Sequence, residues 1–147
     1  MTTEQEQLIR ITQLTYDQLR SAFEAIPEDK LNWSPADGVM SPRMQIIHAC
    51  GADRSYANRI DNGNRRTEFD MECELTSKRD LIAHLEETRE MTIQLISNIP
   101  SEALDNPVEI PWFPGATIRF VLLHMLRHKH YHVGQLNLMR WILGIGV

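Results

Sequence analysis

Four of the six histidines of this chain lie close together: His124, His128, His130 and His132. On a helical wheel that turns about 100° per residue, His132 lies about 40° from His128, and both fall within a stripe of apolar residues. His124 lies at the edge of this stripe, whereas His130 lies on the opposite, solvent-facing side. Two imidazoles one turn apart on a buried face can hold a single metal ion, which would explain why such polar groups are buried together.

A third ligand must come from another helix, and His48 is the candidate. The same face of its predicted helix carries Gly51, Ala52 and Ser55, whose small side chains leave room for an ion and its ligand. The alternative interpretation of all three histidines is a hydrogen-bonded core residue, since most histidines bind no metal. His84 lies among charged residues and is predicted to be at the surface.

Four segments with helical spacing must position these histidines. They are predicted over residues 3–26, 41–60, 76–99 and 117–143. Their boundary signals include a capping box from Thr3 to Glu6, Pro42 at the first position of the second helix, a break at residues 62–64 and Gly144 after the fourth helix. No segment alternates with the period of a strand. Amphipathic helices must bury their stripes on one another, so an all-α four-helix bundle is predicted.

Composition limits the class of protein. The 147 residues are 42% hydrophobic, which suits a single domain over residues 1–147. A net charge of −5 argues against nucleic acid as a partner. One basic cluster on the last helix is therefore predicted to be solvated: Arg127, Lys129, His130 and Arg140. With no signal peptide and no apolar run near the roughly 20 residues of a membrane span, we expect a cytoplasmic protein without a membrane partner.

The cysteines and the loop aromatics have ordinary interpretations. Cys50 and Cys73 are interpreted as free thiols in a reducing compartment, and Cys50 lies about 200° from His48 around the helix. Three aromatic residues lie in the connections and either cover a pocket or pack on the core: Trp33, Trp112 and Phe113. Core packing is the preferred interpretation.

Two stretches of sequence resemble one known family. The last helix carries His128-Lys-His-Tyr-His132-Val-Gly134-Gln135-Leu136, and the second carries Ile46-Ile47-His48-Ala49. The first string resembles H-x-x-x-H-x-G-Q-L, the C-terminal signature of the DinB-like (damage-inducible, YfiT-like) family, whose second helix carries a single histidine. The stretch from Ile26 to Pro35 is also similar, so the resemblance covers nearly the whole chain.

This resemblance implies a fold, a cofactor and an assembly. The fold is an up-down-down-up four-helix bundle with a long crossover. The cofactor is one divalent ion (zinc, nickel or iron) held by His48, His128 and His132, and the assembly is a homodimer. Family members include metal-dependent hydrolases and enzymes that transfer a low-molecular-weight thiol, such as bacillithiol or mycothiol.

Three neutral ligands leave positions on an ion open, as in catalytic rather than structural sites. We therefore expect a small metalloenzyme that acts on a small-molecule substrate as a hydrolase or a thiol S-transferase. Candidates for the general acid or base are His124 and Tyr131. Arg59, about 16 Å along the helix from His48, is the candidate for binding the carboxylates of a thiol cofactor. The alternative is a non-catalytic metal-binding or stress-response protein that the ion only stabilises.

Overall fold

All four predicted helices are present in the computed structural model of the chain, which describes residues 1–62 and 74–146. The helices are α1 Thr3–Glu24, α2 Pro42–Asn62, α3 Lys78–Asn98 and α4 Ile118–Ile142. Within these ranges the only β pairing is one isolated bridge, so the predicted all-α class is confirmed. Across the same ranges, none of the helices is long and apolar enough to cross a bilayer. Cys73 and the predicted break at Gly63 lie outside the described residues.

The capping box of α1 starts at Thr2, one residue earlier than predicted. The side chain of Thr2, rather than Thr3, accepts the backbone N–H of Gln5 at 3.3 Å, and Gln5 Oε1 accepts the backbone N–H of Thr2 at 3.1 Å. Both pairs fit the capping-box pattern. The box that starts at Thr2 is the one that forms, because it buries Gln5. The side-chain amide of Gln5 also donates to the carbonyl oxygens of Ile96 and Ile99 at the end of α3.

Contacts between helix ends define the directions of the four helices. They join the start of α1 to the start of α4 (Glu4 with Arg119), the start of α1 to the end of α3 (Gln5 with Ile99), and the start of α2 to the segment just before α3 (Arg43 with Leu75). Helices α1 and α4 therefore run one way and α2 and α3 the other, which is the up-down-down-up topology. The crossover from α2 to α3 includes residues 63–73, which the structure does not describe.

The core consists of two apolar clusters, one towards each end of the bundle. Representative residues are Leu19, Ile46, Leu85 and Leu136 in one cluster, and Leu8, Ala57, Ile96 and Met125 in the other. At the level where they meet, the bundle buries polar side chains from all four helices: Tyr16, Asp53, Thr92 and Lys129. This polar layer packs beside the histidines of α2 and α4.

The connection from α3 to α4 is held against the bundle by its own backbone. The N–H of Val108 donates to the carbonyl oxygen of Ala116 at 2.9 Å, and the N–H of Ile118 donates to that of Asn106 at 3.0 Å. Ile110 in the same connection is buried. These contacts bring Trp112 close to the middle of α4, where its ring contacts a histidine.

Candidate metal centre

Three imidazoles converge between α2 and α4. Nε2 of His128 lies 3.1 Å from Nε2 of His48 and 3.2 Å from Nε2 of His132. His48 and His128 are half-buried, and His132 is buried. Each offers one nitrogen to a group whose members all lie within 4.8 Å of one another. The helical spacing of α4 and the antiparallel packing of α2 thus bring together the three residues that the sequence singled out.

Gln45 orients one of these imidazoles. Its Nε2 donates to the carbonyl oxygen of Met40, so its Oε1 faces Nδ1 of His132 and accepts a short hydrogen bond from it. The proton of His132 therefore lies on Nδ1, and its Nε2 presents a lone pair to the centre of the cluster. Gln45 was missed in the sequence, although its position one turn before His48 places it on the same helix face.

Burial keeps the three imidazoles uncharged at neutral pH. Desolvation is the main cause that lowers the pKa of His128 to about 3 and that of His132 to about 4, and the neighbouring imidazoles add to both effects. Desolvation also lowers the pKa of His48. Neutral imidazole is the form that binds metal ions, so the cluster does not need to lose protons before it can take one.

The cluster fits a divalent metal ion. A tetrahedral ion with metal–nitrogen bonds of 2.0–2.1 Å would space its ligand nitrogens by about 3.3 Å. The two short separations, 3.1 and 3.2 Å, are close to that value. Nδ1 of His132 is engaged by an acceptor, as is usual for the second nitrogen of a metal-binding histidine. The arrangement can hold one ion through His48, His128 and His132.

A cavity of about 270 Å³ opens beside the cluster and contains Arg59. His48 and His128 line it together with Ser55 and Tyr56. Arg59 donates to the carbonyl oxygen of Glu109 at 3.1 Å, which holds its guanidinium at the cavity. The structure therefore places this predicted cofactor-binding candidate in the same cavity as two of the three histidines.

The two candidate acid–base residues occupy different surroundings. The ring of His124 lies 6.2 Å from that of His128. Burial is the main cause that lowers the pKa of His124, and the positive charge of Arg127 lowers it further. Tyr131 is exposed, but its ring lies 5.4 Å from that of His132. It also lines another cavity, together with His128. Each candidate therefore lies beside one histidine of the cluster.

Two further histidines lie away from the cluster. His130 is exposed, as predicted. The prediction that His84 is a surface residue is wrong, since it is half-buried with Nδ1 3.3 Å from the guanidinium of Arg54.

A buried ion pair beside the cluster was missed in the sequence. Lys129, predicted to be solvated, is 1% exposed and donates to the carboxylate of Asp53, which is fully buried. The hydroxyl of Tyr16 donates to the same carboxylate oxygen at 2.6 Å, and both burial and Asp53 raise its pKa. The available signal was position, since Met125 and Val133, one turn either side of Lys129, are apolar and buried.

The loop aromatics divide between the two interpretations. Trp33 packs partly buried against the core, as preferred. For Trp112 and Phe113 the core interpretation is wrong, because they are 54% and 40% exposed and line a cavity with His124. Cys50 is a buried free thiol whose pKa burial raises to about 12, which makes it unreactive.

Comparison with known proteins agrees with this fold. A family model of the DinB superfamily matches residues 11–136, and the chain belongs to this superfamily. Six solved chains are similar, among them a DinB-like protein, YjoA, from Bacillus subtilis. It is 21% identical over 94% of this chain and 92% of its own, with a TM-score of 0.75, and this likeness shows the fold. No curated protein matches the sequence.

Proposed function

We propose that this protein is a small metalloenzyme that binds one zinc, nickel or iron ion through His48, His128 and His132. The observation that carries the proposal is the convergence of three uncharged imidazoles beside an open cavity, which His48 and His128 line. A structural ion is usually enclosed by four protein ligands, whereas three ligands beside a cavity leave a position for water or substrate. The affinity of nitrogen ligands for divalent metals follows the Irving–Williams order, so the ion that occupies the site in the cell depends also on which metal is available.

A bound ion would supply either a water of lowered pKa for hydrolysis or an activated thiolate for S-transfer. The residues around the cavity bind and orient the reactants. Arg59 presents a cation that suits a carboxylate on a low-molecular-weight thiol, and this favours thiol transfer. His124, uncharged because its pKa is lowered, can exchange a proton with a reactant.

The test is turnover by the metal-loaded chain in two assays, hydrolysis of activated esters and amides, and conjugation of bacillithiol to 1-chloro-2,4-dinitrobenzene. We expect activity in at least one assay and its loss in His128→Ala. If the thiol is the cofactor, Arg59→Gln raises its KM about tenfold, as expected for a lost charge-assisted contact, with unchanged metal content. Arg10→Gln, an exposed arginine on α1, is the control.

The second candidate function is that of a non-catalytic metal-binding or stress-response protein. It predicts that removing the metal lowers the stability of the bundle while no substrate in either assay turns over faster than with free metal. That pair of results would replace the enzymatic proposal.

Gln45 is predicted to tune metal affinity. Gln45→Leu removes the acceptor that fixes the Nδ1 proton of His132, so we expect the dissociation constant for zinc to rise about 10–100-fold. Competition with a chromogenic chelator measures this constant. Gln94→Leu, an exposed glutamine on α3, is the matched control and should bind as the wild type does. Equal affinity in both variants would show that Gln45 does not support the site.

We also propose that the chain forms a homodimer through the outer face of α4. Leu138 and Trp141 on this face are 60% and 67% exposed, and exposed apolar side chains in a row mark contact surfaces. Gly134 on the same helix has nothing within 4 Å of where a Cβ would lie, which leaves room for a close neighbour.

We propose further that the substrate is a small molecule, that the protein binds no nucleic acid and that it is located in the cytoplasm. The acidic net charge supports the second point and the free Cys50 thiol the third.

The dimer prediction is tested by Leu138→Glu with Trp141→Glu. Two carboxylates on each copy would meet across a symmetric interface, so the dimer dissociation constant should rise more than about 100-fold. Sedimentation equilibrium measures it. Leu14→Glu, an equally exposed leucine on α1, is the control. A wild-type chain that is monomeric at about 100 µM, well above the Kd of a stable dimer, would contradict the proposal.

A further inference from the structure

Beside the candidate metal centre lies a cavity of about 480 Å³ that the proposed function leaves without a role. Its lining is largely apolar, and four of the six lining residues carry a ring: Trp112, Phe113, Phe120, Leu123, His124 and Arg127. We refer to it as the aromatic pocket. Its volume lies within the range of pockets that bind small organic molecules.

The aromatic pocket adjoins the site on two sides. Trp112 lines both it and the cavity that contains Arg59, and its ring lies 4.7 Å from that of His124. The ring of His124 in turn lies 6.2 Å from that of His128. His124 therefore connects the aromatic pocket to the histidine cluster.

The walls of the pocket leave apolar surface open to solvent. Trp112 and Leu123 are 54% and 52% exposed, although the connection that carries Trp112 is tied to the bundle by backbone hydrogen bonds. Phe113 and Phe120 stack on each other with ring centroids 4.0 Å apart, and both line the pocket. A flat apolar group would cover the exposed surface of Trp112 and Leu123 and could stack on an aromatic ring of the wall.

The charge around the site has one sign. The aromatic pocket, the cavity with Arg59 and the cavity with Tyr131 are lined by two charged residues, Arg59 and Arg127, and both are cations. This local charge is opposite to the net charge of −5 of the chain. Within residues 1–62 and 74–146, Arg127 forms no ion pair, and its guanidinium contacts Nδ1 of His124 at 3.4 Å. Its remaining N–H groups can bind a carboxylate in two-point fashion.

We propose that the aromatic pocket binds an aromatic carboxylate, with its ring against Trp112 and its carboxylate on Arg127. The inference rests on the proposed function only for the reaction that follows binding. In that reaction the bound anion would be the acceptor of the thiol or the substrate of hydrolysis. Binding itself needs no metal. The pocket therefore assigns a substrate class, a small organic anion with a flat apolar ring, to the site.

The test is isothermal titration of the full-length chain with 2-naphthoate, in the presence of a chelator and again after zinc loading. We expect binding in both, and at least tenfold weaker binding in Arg127→Gln and in Trp112→Ala. The matched controls are Arg10→Gln and Leu14→Ala, exposed residues of α1 outside the pocket, which should bind as the wild type does. The uncharged 2-naphthalenemethanol should be weakened by Trp112→Ala but not by Arg127→Gln.

Three results would overturn the assignment. They are the absence of naphthoate binding by the wild type, unchanged affinity in both pocket variants, and a loss in Arg59→Gln that Arg127→Gln does not share. The last would place the carboxylate in the neighbouring cavity. His128→Ala separates this inference from the proposed function, because it should lose metal and keep naphthoate. Naphthoate binding without any metal binding would support the aromatic pocket and contradict the proposed metalloenzyme.

Discussion

The wild-type chain is expected to hold about one metal ion, and the double variant His48→Ala, His128→Ala is expected to hold none. The physical reason is that the variant keeps only one of the three converging nitrogens, and a single imidazole cannot hold a divalent ion at cellular concentrations. The measurement is elemental analysis of protein purified without a metal-affinity tag, before and after reconstitution with zinc, nickel and iron.

The control for this experiment is His130→Ala, which removes an exposed histidine from the same helix. It should retain the metal content of the wild type. Metal should also raise the stability of the wild type, by about 2.7 kcal/mol at a free concentration 100 times its dissociation constant, and leave the double variant unaffected. A wild-type chain without stoichiometric metal after reconstitution would reduce the three histidines to core residues.

Lys129→Met is expected to be the most destabilising substitution at a charged residue of α4. It leaves the carboxylate of Asp53 buried without its cation, and breaking a buried pair in this way costs about 3–5 kcal/mol. The hydroxyl of Tyr16 remains as a donor and offsets only part of this cost. Urea unfolding of metal-free protein, followed by circular dichroism, measures the free energy of unfolding.

A second variant distinguishes the lost charge pair from lost packing. Lys129→Met with Asp53→Asn removes both charges and keeps an acceptor for Tyr16, so it should be more stable than Lys129→Met alone. Arg127→Met, an exposed neighbour on the same helix, should stay within about 0.5 kcal/mol of the wild type. If Lys129→Met unfolds at the wild-type urea concentration, the ion pair contributes nothing to the fold.

The sequence predicted the helices and the histidine cluster because both depend on periodicity. Ligands one turn apart on α4 had to share a face, and the small residues that follow His48 marked the opposing surface. The prediction of burial was wrong where it relied on residue type instead of helix position. Lysine is rarely buried, so Lys129 was assigned to solvent although its neighbours one turn away on α4 are apolar. Asp53 has the same signal on α2, since Ala49 and Ala57 on either side of it are buried.

Loop residues were beyond the reach of such reasoning. Periodicity places a side chain on a helix face, but Trp112 lies in a connection whose path depends on tertiary contacts such as the buried Ile110. The sequence left open whether Trp112 covers a pocket or packs on the core, and the structure shows that it lines the aromatic pocket. The capping box was ambiguous for a different reason, because two overlapping frames fit one pattern and a distant contact of Gln5 with α3 selects between them.

The order of the helices along the chain has a kinetic consequence. His48 and His128 are 80 residues apart in sequence, so their meeting closes a long loop. Loop closure costs entropy before the contact stabilises anything, and contacts of this kind form after local helices. A metal ion held by all three histidines would need α2 and α4 in place, so it would bind after the folding barrier has been passed. Such an ion would lengthen the lifetime of the folded state by slowing unfolding, and would leave the folding rate unchanged.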